Sequence, residues 1–107
     1  MRTIRVARIT KKLLADPNDG ILPYEGIDDC GLFKGIFVRY LCELIQIKPE
    51  LADLKEWLLH NAKTMIEMGI NKDGLIGGDW TVKEEECVDL AQHLSGIMLL
   101  EMAAKLN

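Results

Sequence analysis

The chain has 107 residues, of which 49% are hydrophobic and 6% aromatic, and its 17 acidic and 13 basic residues give a net charge of −4. This length suits a single domain over residues 1–107 with an aliphatic core. The negative charge argues against nucleic-acid binding, which requires a basic face, and no apolar run approaches the roughly 20 residues that span a bilayer.

Apolar residues at helical spacing predict four helices, that is, an all-α fold. Particular residues place the helix ends: Pro17 stops the first helix, Pro49 opens the third and Gly69 ends it. We expect the fourth helix to begin near Glu85 or Val88, because glutamates there would complement the helix dipole. The predicted helices cover about residues 3–15, 31–46, 49–68 and 85–105.

Two polar, Gly-containing loops divide these helices into two hairpins. The first and third helices are followed by similar segments, Asn18-Asp19-Gly20-Ile21-Leu22 and Lys72-Asp73-Gly74-Leu75-Ile76. A unit that repeats after about 50 residues is typical of stacked helical hairpins. The runs 20–24 and 74–76 are too rich in Gly and Pro to anchor a sheet, so we expect at most a short local pairing there.

The most informative stretch is 26–40, where a polar loop becomes an amphipathic helix. Its residue Asp29, followed by Phe33-Lys34-Gly35-Ile36-Phe37 and Arg39, resembles the Gly-Asp…Phe-Lys-Gly-Ile-Phe-x-Arg segment of glycoside hydrolase family 76. Further segments resemble this family in the same order: 19–22, 73–80 and 89–100.

The resemblance implies both a fold and a function. Family 76 enzymes are α-1,6-mannanases and their relatives, built as a barrel of helical hairpins. This chain would then be two successive hairpins of an (α/α)6 barrel, the C-terminal portion of an endo-α-1,6-mannanase type. It would contribute part of the cleft that binds an α-linked mannoside or related glycan, and by itself it would bind that glycan weakly.

Catalysis is not carried over to this chain. Glycoside hydrolysis generally uses two carboxyl groups that flank the scissile bond, and Asp28 and Asp29 are adjacent carboxylates. The family's Asp pair, however, lies in its earlier half in an aromatic-rich context, which the surroundings of Asp28 and Asp29 do not match. We therefore expect no catalytic residue here and no hydrolysis by the chain alone.

Five residues are the candidates for glycan binding, and each has a structural alternative. Carboxylates can hold sugar hydroxyls and a tryptophan can stack on a sugar ring, but an Asp can also cap a helix. The loop tryptophan could equally pack its loop onto the helices, the phenylalanine could be a core residue and the lysine a solvated one. The candidates are Asp29, Phe33, Lys34, Asp79 and Trp80.

The remaining residues suggest neither a disulfide framework nor a metal site. Cys30, Cys42 and Cys87 are an odd number of thiols without paired spacing, and His60 and His93 each stand alone in a helical pattern. We expect reduced thiols, no metal and no organic cofactor. Because the N-terminus also lacks the apolar block of a secretory signal, a cytoplasmic location is favoured.

Two hairpins cut from a toroid would expose apolar edges, and large apolar patches are unusual on soluble monomers. We therefore expect the edges to be covered by self-association or by the missing N-terminal part of the barrel. The competing interpretation is a non-enzymatic helical module that self-associates or binds a protein partner. In that case the loop residues would be helix caps and the apolar helix faces a binding surface.

Overall fold

The computed structural model describes residues 2–24, 26 and 31–106. Within these ranges the chain contains four α-helices and no β-strand, so the all-α prediction is confirmed. None of the described helices is long and apolar enough to cross a membrane. The helices are α1 (Arg2–Thr10), α2 (Phe33–Ile47), α3 (Ala52–Met68) and α4 (Leu90–Leu106).

The first predicted helix is present, but its geometry changes along its length. After α1 the chain continues through a π-helical turn, Lys11–Ala15, and a short 3-10 turn, Asp16–Asn18. It then reverses at Asp19 and Gly20, whose φ angles of 57° and 84° lie in the left-handed region. The amide of Gly20 donates a hydrogen bond to the carbonyl of Ala15 at 2.8 Å, which closes this end.

The larger apolar side chains that share one side of the first helix are exposed. Val6, Ile9 and Leu13 are each about half exposed, whereas Ala7 and Ala15 are buried. The small alanines therefore lie against the rest of the chain, and the larger side chains point away from it. This apolar face has no covering element within the described residues.

The ends of α3 and α4 show one correct prediction and one error. Gly69 stops α3, and its amide donates to the carbonyl of Met65 at 2.7 Å, as expected. In contrast, α4 begins only at Leu90, and the three glutamates that were expected to start it lie in the preceding loop. The side chain of Asn71 donates to the carbonyl of Glu84 at 2.6 Å, which holds the chain in a loop conformation.

Helices α2 and α4 are parallel neighbours in close contact. The amide of Gly35 donates to Ser95 Oγ at 3.2 Å near their N-terminal ends, and the Cys42 thiol lies 3.8 Å from the carbonyl of Met102 farther along. A Cβ atom on Gly35 would lie 2.9 Å from Ser95 Cα. The absence of a side chain at Gly35 is therefore what allows the two helices to approach this closely.

Helix α3 packs against both α2 and α4 and completes the core. Trp57 on α3 makes an edge-on contact with Phe37, with ring centroids 5.9 Å apart. The largest buried apolar side chains belong to all three helices and to both loops: Ile21, Val38, Leu54, Leu58, Met65, Ile76, Trp80 and Leu99.

An exposed ion pair connects α1 with α3. The guanidinium of Arg8 donates to both carboxylate oxygens of Asp53, with the longer of the two hydrogen bonds at 3.2 Å. This hydrogen bonding is the main reason that the pKa of Asp53 lies below its ordinary value. Such pairs orient elements more than they stabilise them, because both side chains remain in water.

Both long loops lie at the end of the molecule where α2 and α4 begin. The first loop, whose described residues are 19–24, 26 and 31–32, is attached to α3 through Trp57 and Asn61, whose side chains both donate to the carbonyl of Gly20. The second loop, 69–89, contains the only isolated bridge of the described residues, between Ile70 and Ile76. The strand-like pairing therefore forms inside the second loop and not between the runs 20–24 and 74–76.

Candidate functional site

Lys34 lies where the two loops meet. Its side chain comes from the first turn of α2 and is only 5% exposed. The ammonium donates to the carbonyl of Gly78 at 2.5 Å and to that of Leu22 at 3.5 Å, and it lies 4.0 Å from the ring centroid of Trp80. A buried charge needs such partners, so Lys34 is not the solvated lysine of the structural alternative.

Trp80 is completely buried. Its backbone packs so tightly on the end of α3 that a Cβ atom on Gly69 would lie 2.6 Å from the Trp80 carbonyl oxygen. Its indole Nε1 is buried and has no hydrogen-bond partner among the residues that the structure describes. With no ring face open to solvent, Trp80 cannot stack on a sugar in this conformation, and the structure favours the alternative in which it packs the loop onto the helices.

Phe33 and Asp79 lie at the surface, at the end of the molecule that carries both loops. Phe33 is 58% exposed, which excludes the core role, and it lines a cavity of about 200 Å³ together with Leu14 and Pro23. Asp79 is half-buried, and its Oδ1 accepts hydrogen bonds from the amide and hydroxyl of Thr81 at 2.9 and 2.7 Å. The fifth candidate, Asp29, lies outside the described residues, as does Asp28.

A second cavity of about 350 Å³ opens between the two loops and α4. It combines an exposed aromatic ring, two carboxylates and an amide, a set of groups that can bind a polar ligand with an apolar face. Of the predicted residues only Asp79 lines it. The lining residues are Tyr24, Gly78, Asp79, Val82, Glu84, Cys87 and Gln92.

The sequence interpretation did not single out Tyr24 or Gln92. Gln92 is 6% exposed, and its Nε2 donates to the carbonyl of Gly26 at 3.1 Å, which joins α4 to the first loop. It lies within the segment 89–100 that resembles family 76, so the signal was present. Tyr24 has no comparable signal, because only the tertiary structure brings it next to Gly78.

The second loop comes closest to the first loop and to α4 at Gly78. A Cβ atom there would lie 2.6 Å from Gln92 Nε2 and 2.7 Å from the ring of Tyr24. A larger residue would therefore displace the side chains of Tyr24 and Gln92. Its carbonyl faces Lys34, so a single glycine contacts α2, α4 and the first loop at once.

A larger cavity of about 650 Å³ lies between α1 and α3 and contains none of the predicted residues. Its charged groups largely neutralise one another, through the pairs Arg8–Asp53 and Lys11–Asp16. Across residues 2–24, 26 and 31–106, no group of three or more His, Cys, Asp or Glu side chains could hold a metal ion. The cavity between the loops is thus the better candidate site.

Comparison with solved structures identifies the relatives of this fold. The GH76A α-1,6-mannanase from Salegentibacter sp. HEL1_6 matches with a TM-score of 0.78 and 39% sequence identity, over 82% of this chain and 27% of that chain. The resemblance to glycoside hydrolase family 76 is confirmed. An inactive variant of the same mannanase, in complex with α-1,6-mannotriose, also matches with a TM-score of 0.78 and 39% identity.

A third match extends over more of the chain. The Lin0763 protein from Listeria innocua shares 37% identity with a TM-score of 0.81, over 94% of this chain and 28% of that chain. The chain thus spans little more than a quarter of these relatives, which is consistent with a C-terminal portion of a family 76 protein. Its four helices are two hairpins of a helical toroid, as predicted. No family model and no curated protein sequence matches the chain.

Proposed function

We propose that the chain forms part of the glycan-binding cleft of a family 76-type α-1,6-mannanase, as its C-terminal hairpins, and that it carries no catalytic acid pair. The observation that supports this most strongly is the 39% identity to a mannanase whose inactive variant is seen with α-1,6-mannotriose. The shared fold makes the end of the chain that carries both long loops the natural ligand side.

The groups around the cavity between the loops suit a saccharide. The exposed ring of Tyr24 offers an apolar face, while Asp79, Glu84 and Gln92 offer polar groups for hydroxyls. Phe33 presents a second exposed ring at the start of α2. Tyr24, Phe33, Asp79 and Glu84 are the residues that would contact the glycan directly, whereas Gln92 is buried, as are Lys34 and Trp80.

The chain alone would bind weakly and hydrolyse nothing. It supplies two hairpins of a larger toroid, so most of the cleft would lie on other hairpins. A dissociation constant near 1 mM corresponds to about −4 kcal/mol, which is reasonable for a few exposed contacts. The bond cleavage itself would need carboxyl groups on opposite sides of the glycosidic bond, which we assign to other parts of the enzyme.

The test is a titration of the ¹⁵N-labelled chain with α-1,6-mannotriose, followed by NMR, with an α-1,4-glucotriose as the control sugar. We expect saturable shifts at Tyr24, Asp79 and Gln92, and weaker ones with the control. The same samples are assayed for released reducing ends. Absence of shifts at millimolar mannotriose would refute glycan binding, and hydrolysis that Asp28→Asn and Asp29→Asn abolish would refute the assignment of an inactive chain.

One observation favours the second candidate, a helical module that self-associates. Phe33, Ile36 and Tyr40 lie on one stripe of α2 and are 58%, 44% and 65% exposed. A second copy could cover this stripe. Sedimentation velocity at micromolar concentration distinguishes the two candidates: a stable dimer without glycan-induced shifts supports the module, and a monomer counts against it.

A further inference from the structure

We propose that Lys34 is a positioning residue, whose ammonium fixes the second loop against the first and thereby shapes the cavity between Tyr24 and Gln92. The consequence for glycan binding rests on the proposed function, but the positioning role does not. It assigns to Lys34 a task different from direct ligand contact. The reason lies in what its charge touches.

The two loops differ in how they are attached. The first loop is already fixed to α3, because the amide of Leu22 donates to Asn61 Oδ1 at 2.9 Å and Asn61 is buried. The carbonyl of Leu22 is therefore a stationary acceptor for Lys34. The second loop meets the ammonium at Gly78, at 2.5 Å. The hydrogen bond from Lys34 to Gly78 thus holds the second loop next to Leu22 of the first loop.

The position of Gly78 affects the shape of the cavity. Its carbonyl binds Lys34, and a Cβ atom on it would lie within 3 Å of the ring of Tyr24 and the amide of Gln92, both of which line the cavity. If the carbonyl moved away from the ammonium, Gly78 would move relative to both side chains. The width of the cavity therefore depends on Lys34, although Lys34 does not line it.

The charge is needed as well as the length of the side chain. The ammonium lies over the Trp80 ring, so it attracts the ring face and the Gly78 carbonyl together. A methionine has a similar shape but no donor and no charge. Lys34→Met would leave the buried Gly78 carbonyl without this donor and would remove the attraction to Trp80.

The experiment compares Lys34→Met with Lys63→Met, a matched change at an exposed lysine of α3. We expect the Trp80 indole NMR signal to shift in Lys34→Met while that of Trp57 stays in place. Amide exchange at Thr81 should accelerate roughly tenfold or more, since a charged hydrogen bond is lost. The amide of Leu22 should be unaffected, because Asn61 holds it. Unchanged Thr81 exchange and an unchanged Trp80 signal would overturn the proposal.

If Lys34→Met fails to fold, the wild-type chain provides the test. Reductive methylation followed by peptide mapping measures the accessibility of each lysine, and Lys34 should react at least about tenfold more slowly than Lys63. Equal rates would overturn the proposal.

Glycan binding is measured separately in the variants that fold, and Lys34→Met should weaken mannotriose binding about tenfold. If Lys34→Met accelerates Thr81 exchange but the wild-type chain binds no glycan, the positioning role is supported and the proposed function is rejected. Unchanged mannotriose binding in a Lys34→Met chain whose loop has loosened would overturn the link between Lys34 and the cavity.

Discussion

Asn61 and Leu22 are joined by a buried hydrogen bond, in which the Leu22 amide donates to Asn61 Oδ1 at 2.9 Å. The other half of the same side chain donates to the carbonyls of Gly20 and Trp57, each at 3.0 Å. One buried amide therefore uses both N–H donors and its oxygen, and two of these three hydrogen bonds hold the first loop on α3. The position of the first-loop residues next to the cavity depends on this attachment.

Asn61→Ala should strongly destabilise the chain. It leaves the Leu22 amide buried without a partner, and each unsatisfied buried group costs about 1–3 kcal/mol. We expect a fall of roughly 2–4 kcal/mol in the free energy of unfolding, measured with urea. Asn18→Ala is the control, since Asn18 is exposed and makes one side-chain hydrogen bond, to the Ile21 carbonyl. Equal effects of the two changes would contradict this account.

Gly35→Ala should destabilise the contact between α2 and α4, although alanine is the better helix former by about 1 kcal/mol. The added Cβ would lie 2.6 Å from Met98 Sδ and 2.9 Å from Ser95 Cα. Overpacking of this kind costs about 1–3 kcal/mol, so the net effect should be a loss of stability. Ala104→Gly, at an exposed position of α4, calibrates the propensity term. A stabilised Gly35→Ala chain would show that the helices can move apart.

Tyr24→Ala should weaken binding of α-1,6-mannotriose, because it removes the exposed ring that lines the cavity between the loops. Tyr40→Ala is the matched control, since Tyr40 is also exposed but lies on α2, outside that cavity. We expect a loss of about tenfold for Tyr24→Ala and little change for Tyr40→Ala, measured by NMR titration. Equal losses would place the ligand elsewhere.

The described thiols should differ widely in reactivity. Cys42 is 1% exposed between α2 and α4, whereas Cys87 is exposed at the cavity. Because a buried thiol reacts only when the structure opens, iodoacetamide should modify Cys87 at least about a hundredfold faster than Cys42. Peptide mapping separates the two sites, and in urea their rates should converge. Similar rates in the folded chain would contradict the burial of Cys42.

Stability should also depend on the Cys42 proton. Burial raises the pKa of this thiol, with a smaller opposing effect from Lys105 and a small further increase from Glu43. The folded chain then holds the proton more tightly than the unfolded chain, so the free energy of unfolding falls as pH rises past the ordinary thiol pKa. Urea titrations at neutral and alkaline pH test this against Cys42→Ala. An identical fall in Cys42→Ala would exclude the thiol as the cause.

Local sequence signals predicted where the helices lie, but they did not always predict where a helix begins or which face is buried. Gly69 ends α3 as expected, but its φ of −110° is one that any residue adopts, and the feature that requires a glycine is the Trp80 carbonyl packed against it. The start of α4 was predicted too early, because the glutamate signal was overridden by a distant contact, the hydrogen bond from Asn71 to Glu84. The spacing of Val6 and Ile9 likewise indicated a helix, but it could not show that this face would remain uncovered.

The candidate site shows the same division. The motif around Phe33 and Lys34 was sufficient to recognise the family and to place both residues at the start of α2. Only the tertiary structure showed that Phe33 is exposed while Lys34 and Trp80 are buried against each other. It also brought Tyr24 and Gln92 together around Gly78, at positions to which the local pattern assigned no role.

The sequence by itself determined the all-α class, the pairing of helices into two hairpins and the relation to family 76. The helices depend on the spacing of apolar residues and on glycine and proline, which act over a few neighbouring positions. The relation to family 76 depends on the resemblance of the segment from Asp29 to Arg39. The tertiary structure alone decided which polar side chains remain available to a ligand. A lysine or an asparagine is equally able to bind a sugar or a backbone carbonyl, and the choice depends on residues 12 to 44 positions away that folding brings within hydrogen-bonding distance.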